Sequence, residues 1–459
     1  MIPSGIEHNS YTPFLKLFMP IDNVVLICQM KQPVIVKITD MYRVWPSHFV
    51  YAHVGKKYER VRIFIMESNV CPGFKAAGVA SGLKKNGEKD LGIIFSEVPA
   101  TIAGVFTQNL VQAAPVVLDR QRISKGVCRA VIVNSGNANC CTGDQGLRDA
   151  RRMAQLAAEG IDVVADEVMV ASTGVIGEPL PIGKIEAAVP GLIQALHPDG
   201  ILSFAEAIMT TDTVPKVISR TGELEGNSFT VTGVAKGAGM IRPDMATMLC
   251  FVISDVHASP TTLKKILISA VDRSLNRITV DGDTSTNDTV LLMANGLSGA
   301  EITSEAQQNI FQGVVDDVLL TLAKWLIKDA EGATKLVEIV VQGAASGHDA
   351  RKIADTVAHS NLFKTALFGE DANWGRILAA IGRAGVAVEP AKIDVQFGSV
   401  LMVKDGLGCG KTAEAEATKI LKQPEFSIII DLKGGDGTAS VYTCDFSIDY
   451  VKINADYRS

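Results

Sequence analysis

At 459 residues the chain exceeds what one ordinary hydrophobic core holds, so two domains or one large composite body are expected. Hydrophobic residues make up 47% and charged residues 20%, which excludes a disordered chain, and the net charge of −6 argues against a general nucleic-acid binder. The eight cysteines are scattered without a CxxC, and the seven histidines show no metal-ligand spacing beside them, so a reducing compartment and no zinc site are expected.

Residues 1–66 differ in character from the rest. They hold nine of the 26 aromatics, only Gly5 and Gly55 of the 41 glycines, and a charge of +4 against −10 for the remainder. Their most apolar stretch, "FLKLFMPIDNVVLICQM", is broken by Lys16, Pro20 and Asp22, so no membrane span is expected. No charged segment leads a clean apolar run, which speaks against a secretory signal, and residues 1–40 contain no Arg, which speaks against a mitochondrial leader. A cytoplasmic location is the expectation.

From Gly73 the text changes to small residues and short apolar runs between turns. "DLGIIFSEV" (Asp90–Val98) and "CRAVIVNSGNAN" (Cys128–Asn139) read as buried strands, and Asp144–Gly160 as an amphipathic helix stopped by its glycine. Thr247–Ile253 reads as a strand, then Thr262–Ile278 and Glu305–Asp329 as helices. "LVEIVVQGA", "KIDVQFGSVLMVKDG", "EFSIIIDLKGG" and "ASVYTCDFSIDYVKINA" read as strands. Interleaved strands and helices without a fixed repeat predict α/β or α+β layers.

Two motifs invite chemistry and do not earn it. "DGLGCGKT" (Asp405–Thr412) ends like a phosphate loop, but Asp405 stands where the motif needs glycine, so a turn between strands is expected. Vicinal Cys140 and Cys141 read as a packed or loop pair rather than a redox centre.

The stretch "KGAGMIRPDMATML" (Lys236–Leu249) is different. Thr247 opens a strand, which a β-branched residue commonly does. Gly237, Gly239 and Pro243 make a tight approach to it, and strain at a peptide bond assists attack by a side-chain hydroxyl. Scission of the Ala246–Thr247 bond would give Thr247 an α-amine of pKa about 7.7–8.0. Such an amine takes the proton of its own hydroxyl, so no histidine partner is needed.

This stretch resembles the self-processing site of the ArgJ family, the glutamate N-acetyltransferases or ornithine acetyltransferases. "FKAAGVASGLKK", "GVFTQN", "VNSGNANCCTG", "ASTGVIGEPLP", "IMTTDT", "VDGDTSTNDT", "DAEGATK", "GEDANWGRILAAIG" and the terminal "YVKINADYRS" are similar to further family elements, in order, over roughly Gly73–Ser459. Ala330 and Asp244 depart from the common pattern, which has Gly and Asn there.

The resemblance implies a layered α/β fold like that of self-processing aminopeptidases, with an α chain (67–246) and a β chain (247–459) assembled as an α2β2 heterotetramer. It implies Thr247 as nucleophile and Thr173 and Gly174 as the oxyanion hole. It also implies Thr213, Lys236, Thr247, Glu331, Asn454 and Ser459 as substrate-binding residues. A cation for a carboxylate and an anion for an ammonium suit an amino acid, which makes Lys236 and Glu331 chemically sensible. The implied reaction moves acetyl from N2-acetyl-L-ornithine to L-glutamate in arginine biosynthesis. No metal or organic cofactor is implied, and the residues leave open whether acetyl-CoA is also a donor. Residues 1–66 match nothing in the family; with Met66 directly before the similar region, an upstream start is the expectation. A self-processed aminopeptidase or amidase, and a non-enzymatic binding protein, stand as alternatives.

Overall fold

The computed structural model describes residues 71–242 and 248–456 in full and, before them, the backbone of three strands. These are β1 (Phe14–Leu17), β2 (Val24–Gln29) and β3 (Ile63–Glu67), paired antiparallel in that order. They belong to the unit Met1–Asn69; the layered body is the unit Val70–Ser459.

In the layered body, β4 (Phe74–Val79), β5 (Leu91–Phe106), β6 (Val127–Asn137), β7 (Val168–Val175), β8 (Lys216–Leu224), β9 (Asn227–Lys236) and β10 (Leu249–Ser254) come first. The short β11 (Ile278–Thr279) and then β12 (Thr289–Ala294) follow. Among the described residues all but β11 join one mixed sheet, ordered β7-β6-β5-β12-β10-β9-β8, with β4 beside β5. β10 and β12 are parallel neighbours, and every residue of both is buried. That burial on two faces is why "LCFVIS" and "TVLLMA" read as unbroken runs instead of alternating.

β5 decides the shape. Its first half pairs with β4 and β6, its second half with β12, and its register to β6 shifts between Phe95 and Ala100, around Pro99. The two groups of strands turn toward each other there. The helix Ile201–Ile208 fills the space between them, with Phe204 over Gly92 of β5 and 5.5 Å from the Phe251 ring of β10. Closure of this kind lets the end of β7 meet the end of β9, although β6, β5, β12 and β10 stand between them in the sheet.

A second mixed sheet holds β13 (Leu336–Ala344), β14 (Asp394–Phe397), β15 (Val400–Lys404), β16 (Leu407–Gly408), β17 (Glu425–Asp431) and β18 (Gly437–Cys444), ordered β11-β18-β13-β17-β14-β15-β16. The helix Glu305–Lys328 lies between the sheets. Ser304 and Gln307 form a capping box at its start, which satisfies two otherwise orphaned donors. Its Phe311 ring sits 5.4 Å from Phe229 on β9, and its Lys324 ammonium lies over the Tyr442 ring of β18. The mixed α/β layering expected from the sequence is what the chain adopts.

Three local expectations need correction. The helix expected to stop at Gly160 runs Gly143–Ile161 and ends on Asp162 in the left-handed region, φ +55°. Gly160 serves packing instead, since a Cβ there would lie 2.8 Å from Ile193 of the adjoining helix. The C-terminal stretch expected as strand is strand only to Cys444. Ser447 then caps a helix, Ile448–Ala455, by accepting from the Tyr450 amide. The expected strand at Thr247 begins at Leu249, and Thr247 lies outside the described residues.

"DGLGCGKT" is the turn between strands it was expected to be. Asp405 and Gly406, φ +49° and +76°, turn β15 into β16 in the manner of a two-residue hairpin, and the helix Lys411–Leu421 follows. The Cys140 and Cys141 sulfurs stand 3.8 Å apart as free thiols and not as a disulfide, one residue buried and the other exposed. No described helix is long and apolar enough to cross a membrane.

Candidate functional site

A cavity of about 230 Å³ opens where β7 and β9 end. Thr173 and Gly174 from β7, Lys236 from β9, Glu331 and Asn454 all line it, together with Thr210, Thr211 and the loop Ser285–Asn287. These five residues from four distant stretches are residues singled out in the sequence. Thr213 does not line the cavity. Its amide donates to Asp329 Oδ2 at 3.0 Å and its hydroxyl bonds the same carboxylate, while Thr210 and Thr211 face the cavity in its neighbourhood. Ala246, Thr247 and Ser459 lie outside the described residues.

Gly174 has φ +133°, and a Cβ there would come within 2.4 Å of the Gly136 carbonyl carbon on the paired strand. Only glycine suits that position, and its amide is carried at the mouth of the cavity. The loop behind it is pinned. Asn287 donates to Ala138 O at 2.7 Å and to Ser172 O at 2.8 Å, and Thr286 donates to Asn287 Oδ1 at 2.6 Å. The Thr173–Gly174 corner is thereby tied to the β12 side of the sheet.

Lys236 is buried, and its ammonium donates to Thr210 Oγ1 at 2.8 Å and Thr173 Oγ1 at 3.2 Å. Because Thr173 accepts there, its own hydroxyl proton remains to be donated elsewhere. Burial pushes Lys236 below its ordinary value, Asp212 opposes that, and Lys216 adds to it. Across the cavity Glu331 is 8% exposed, its amide held by Ala238 O at 2.9 Å. The absence of a side chain on Gly239 makes room for the carboxylate, since a Cβ would lie 2.5 Å from Glu331 Oε2. Asn454 donates to the same Oε2 at 2.7 Å. Its helix is held down by the Phe446–Tyr450 ring stack and by Tyr450 donating to Asp281 Oδ2 at 3.2 Å.

Behind Lys236 lies a buried charge group that the sequence reading did not single out. Lys216 bridges Asp212 at 2.8 Å and Asp329 at 2.7 Å, all three side chains fully buried. Burial alone would raise Asp212, but Lys216 and Lys236 outweigh it and hold that carboxyl well below the usual carboxylate range. The same two carboxylates overcome burial and raise Lys216. Asp212 lies inside "IMTTDT" and Asp329 inside "DAEGATK", so the quoted motifs contained the signal; the choice of residue within each did not follow from it.

Asp288 completes the surroundings. It accepts from the amide of Met248 at 2.9 Å, the residue directly after Thr247. Burial pushes its carboxyl well above the ordinary range, with the Met248 bond and Lys236 opposing. Among the described residues its Oδ2 has no hydrogen-bond partner.

Hydroxyl and amide donors beside a buried cation and a facing carboxylate, within α/β layers, define an enzyme site for a small molecule bearing both charges. The sequence profile of the ArgJ family matches residues 75–459. The chain is 51% identical over 389 residues to the arginine biosynthesis bifunctional protein ArgJ of Geobacter sulfurreducens, covering 84% of this chain and 99% of that one. Identity to the protein of the same name from Syntrophotalea carbinolica is also 51%, with the same coverage. The crystal structure of ArgJ from Bacillus halodurans is 40% identical, with a TM-score of 0.43 over 45% of this chain and 97% of that chain.

The chain belongs to the ArgJ family. It is an acetyl-transferring enzyme of arginine biosynthesis.

Proposed function

We propose that the enzyme carries acetyl from N2-acetyl-L-ornithine to L-glutamate as an ester on Thr247, releasing L-ornithine and N-acetyl-L-glutamate. One observation carries this reading: Thr173 and Gly174, Lys236 and Glu331 line a single cavity. Lys236 suits the carboxylate of an amino acid, and Glu331 with Asn454 suits an ammonium, which in acetylornithine is the side-chain one because the α-nitrogen carries the acetyl group.

The chain first cuts itself between Ala246 and Thr247, giving one part that ends at Ala246 and another, 247–459, which pair as α2β2. The Thr247 hydroxyl attacks the acetyl carbonyl, and its new α-amine takes the proton. The Thr173 hydroxyl and Gly174 amide receive the charge on the carbonyl oxygen. Ornithine leaves with the proton and glutamate enters the same place; its free amine attacks the ester, and the proton it loses passes by the Thr247 α-amine to the released threonine oxygen. Thr247 supplies both nucleophile and base, so no step calls for a metal or organic cofactor. Ser459, at the chain end beyond Asn454, completes the substrate contacts; Thr213, bonded to Asp329, steadies the approach to Asp212 instead.

Because a covalent ester separates the half-reactions, initial-rate plots against the two substrates are expected to be parallel. Acetyl is expected on the Thr247 peptide when glutamate is withheld. Intersecting lines with no labelled peptide would leave direct transfer as the better account. Steady release of acetate with glutamate ignored would make the enzyme an amidase.

Removing the residues after Ile453 is expected to raise the apparent KM or stop turnover while self-cleavage persists. Truncation deletes Asn454 and its bond to Glu331, and the residues from Asn454 to Asp456 are exposed, so little core is lost. Normal KM and kcat in the truncated enzyme would remove the tail from the site.

A further inference from the structure

We propose that Asp212, clamped by Lys216, is a positioning residue that keeps Lys236 charged and aimed into the cavity. The inference rests on Lys236 receiving the substrate carboxylate, as in the reading above. No part of that reading assigns a role to Asp212 or Lys216.

The geometry is that of a bracket. Asp212 Oδ1 accepts from Lys216 Nζ at 2.8 Å and from the Gly237 amide at 2.6 Å. Its Oδ2 accepts from the Thr210 amide at 3.0 Å and stands 4.0 Å from Lys236 Nζ. Gly237 is the next residue after Lys236, and Thr210 supplies the hydroxyl that takes a Lys236 proton. One carboxylate thus fixes the backbone and the side-chain partner of the same lysine.

With both oxygens of Asp212 occupied, Lys236 is close enough to feel its charge but is not drawn into a direct bond. Among the described residues two of its N–H groups go to Thr210 and Thr173, which leaves the third for a ligand. Lys216 makes this arrangement hold. Without its ammonium, Asp212 would lose a donor and pull Lys236 out of the cavity.

The charged groups facing Lys236 are Asp212, Lys216, Glu331, Lys84 and Asp288. Asp212 and Glu331 favour its charged form; Lys216 and Lys84 disfavour it. The opposite signs expected on removing Asp212 and on removing Lys216 give the test its control.

The titration midpoint of the Lys236 ammonium, read by NMR on lysine labelled at Cε and assigned with K236R, reports this without reference to activity. D212N is expected to lower the midpoint by roughly one pH unit, the size expected for losing an opposite charge at about 4 Å. K216Q is expected to raise it. Should D212N not accumulate, the opposite-signed K216Q result decides.

In kinetics, D212N is expected to raise KM for the amino-acid substrate on the order of tenfold, with a smaller change in kcat. Asp212→Glu, which keeps the charge, is expected to recover most of that loss. An unmoved midpoint in D212N or K216Q, or shifts of the same sign in both, overturns the proposal. The expected titrations in an enzyme that transfers no acetyl would sink the acetyl-transfer reading and leave the bracket standing.

Discussion

Thr247→Ala is expected to yield one uncut chain that transfers no acetyl. Alanine has no hydroxyl to attack the Ala246 carbonyl, so the peptide bond stays closed and no α-amine appears. The loss is compound, because nucleophile and base are two atoms of one residue. Intact mass and N-terminal sequencing read the first effect, and ornithine release from acetylornithine reads the second. Thr247→Ser keeps a hydroxyl and is expected to cut, slowly, and to transfer. A Thr247→Ala protein that still breaks at Ala246–Thr247 would falsify the assignment of nucleophile. The fold itself is not expected to fail. β10 and its partners β9 and β12 begin their pairing at Leu249, after the substituted residue.

Thr173→Val is expected to lower kcat by about 10²–10³, or about 2.7–4 kcal/mol, the cost of one preorganised donor to a developing oxyanion. Valine matches threonine in shape, so the buried strand end keeps its packing. The hydroxyl is the only loss, and with it goes the acceptor for Lys236 at 3.2 Å. KM is therefore expected to rise as well, by less than kcat falls, since Thr210 still holds the ammonium at 2.8 Å. Thr173→Ser restores the hydroxyl and is expected to recover most of kcat. The same donor faces the carbonyl oxygen in self-cleavage if one site serves both reactions, so slower appearance of the two chain parts is expected too. Unchanged kcat in Thr173→Val would take the hydroxyl out of the reaction and leave the Gly174 amide alone in that role.

Local text alone carried the elements whose code is local. The apolar run of β10 announced a buried strand, because a strand covered on both faces has no reason to alternate. The Asp405–Gly406 turn was legible because both of its residues tolerate positive φ. The family resemblance rested on short motifs, and those motifs hold Thr173, Gly174, Lys236, Glu331 and Asn454, which line one cavity.

What the sequence could not supply is distance. Gly160 looks like a helix stop, and only the crossing of Ile193 shows that it is a packing contact. Ile448–Ala455 carries strand-like residues, yet the Ser447 cap and the seat of its aromatic stack make it helix. Thr213 and Thr210 are near-identical in the string "TTDT", and only the folded chain turns one to Asp329 and the other to the cavity. Asp212, Lys216 and Asp329 each read as an ordinary charge. Their grouping needs β8, the approach to it, and the end of the helix Glu305–Lys328 to meet in a place without water. The sequence by itself determined which chemical groups the protein owns and the family they belong to. The tertiary structure decided which of them share a cavity, because contacts between residues a hundred positions apart depend on how β5 turns the sheet, and no local pattern encodes that turn.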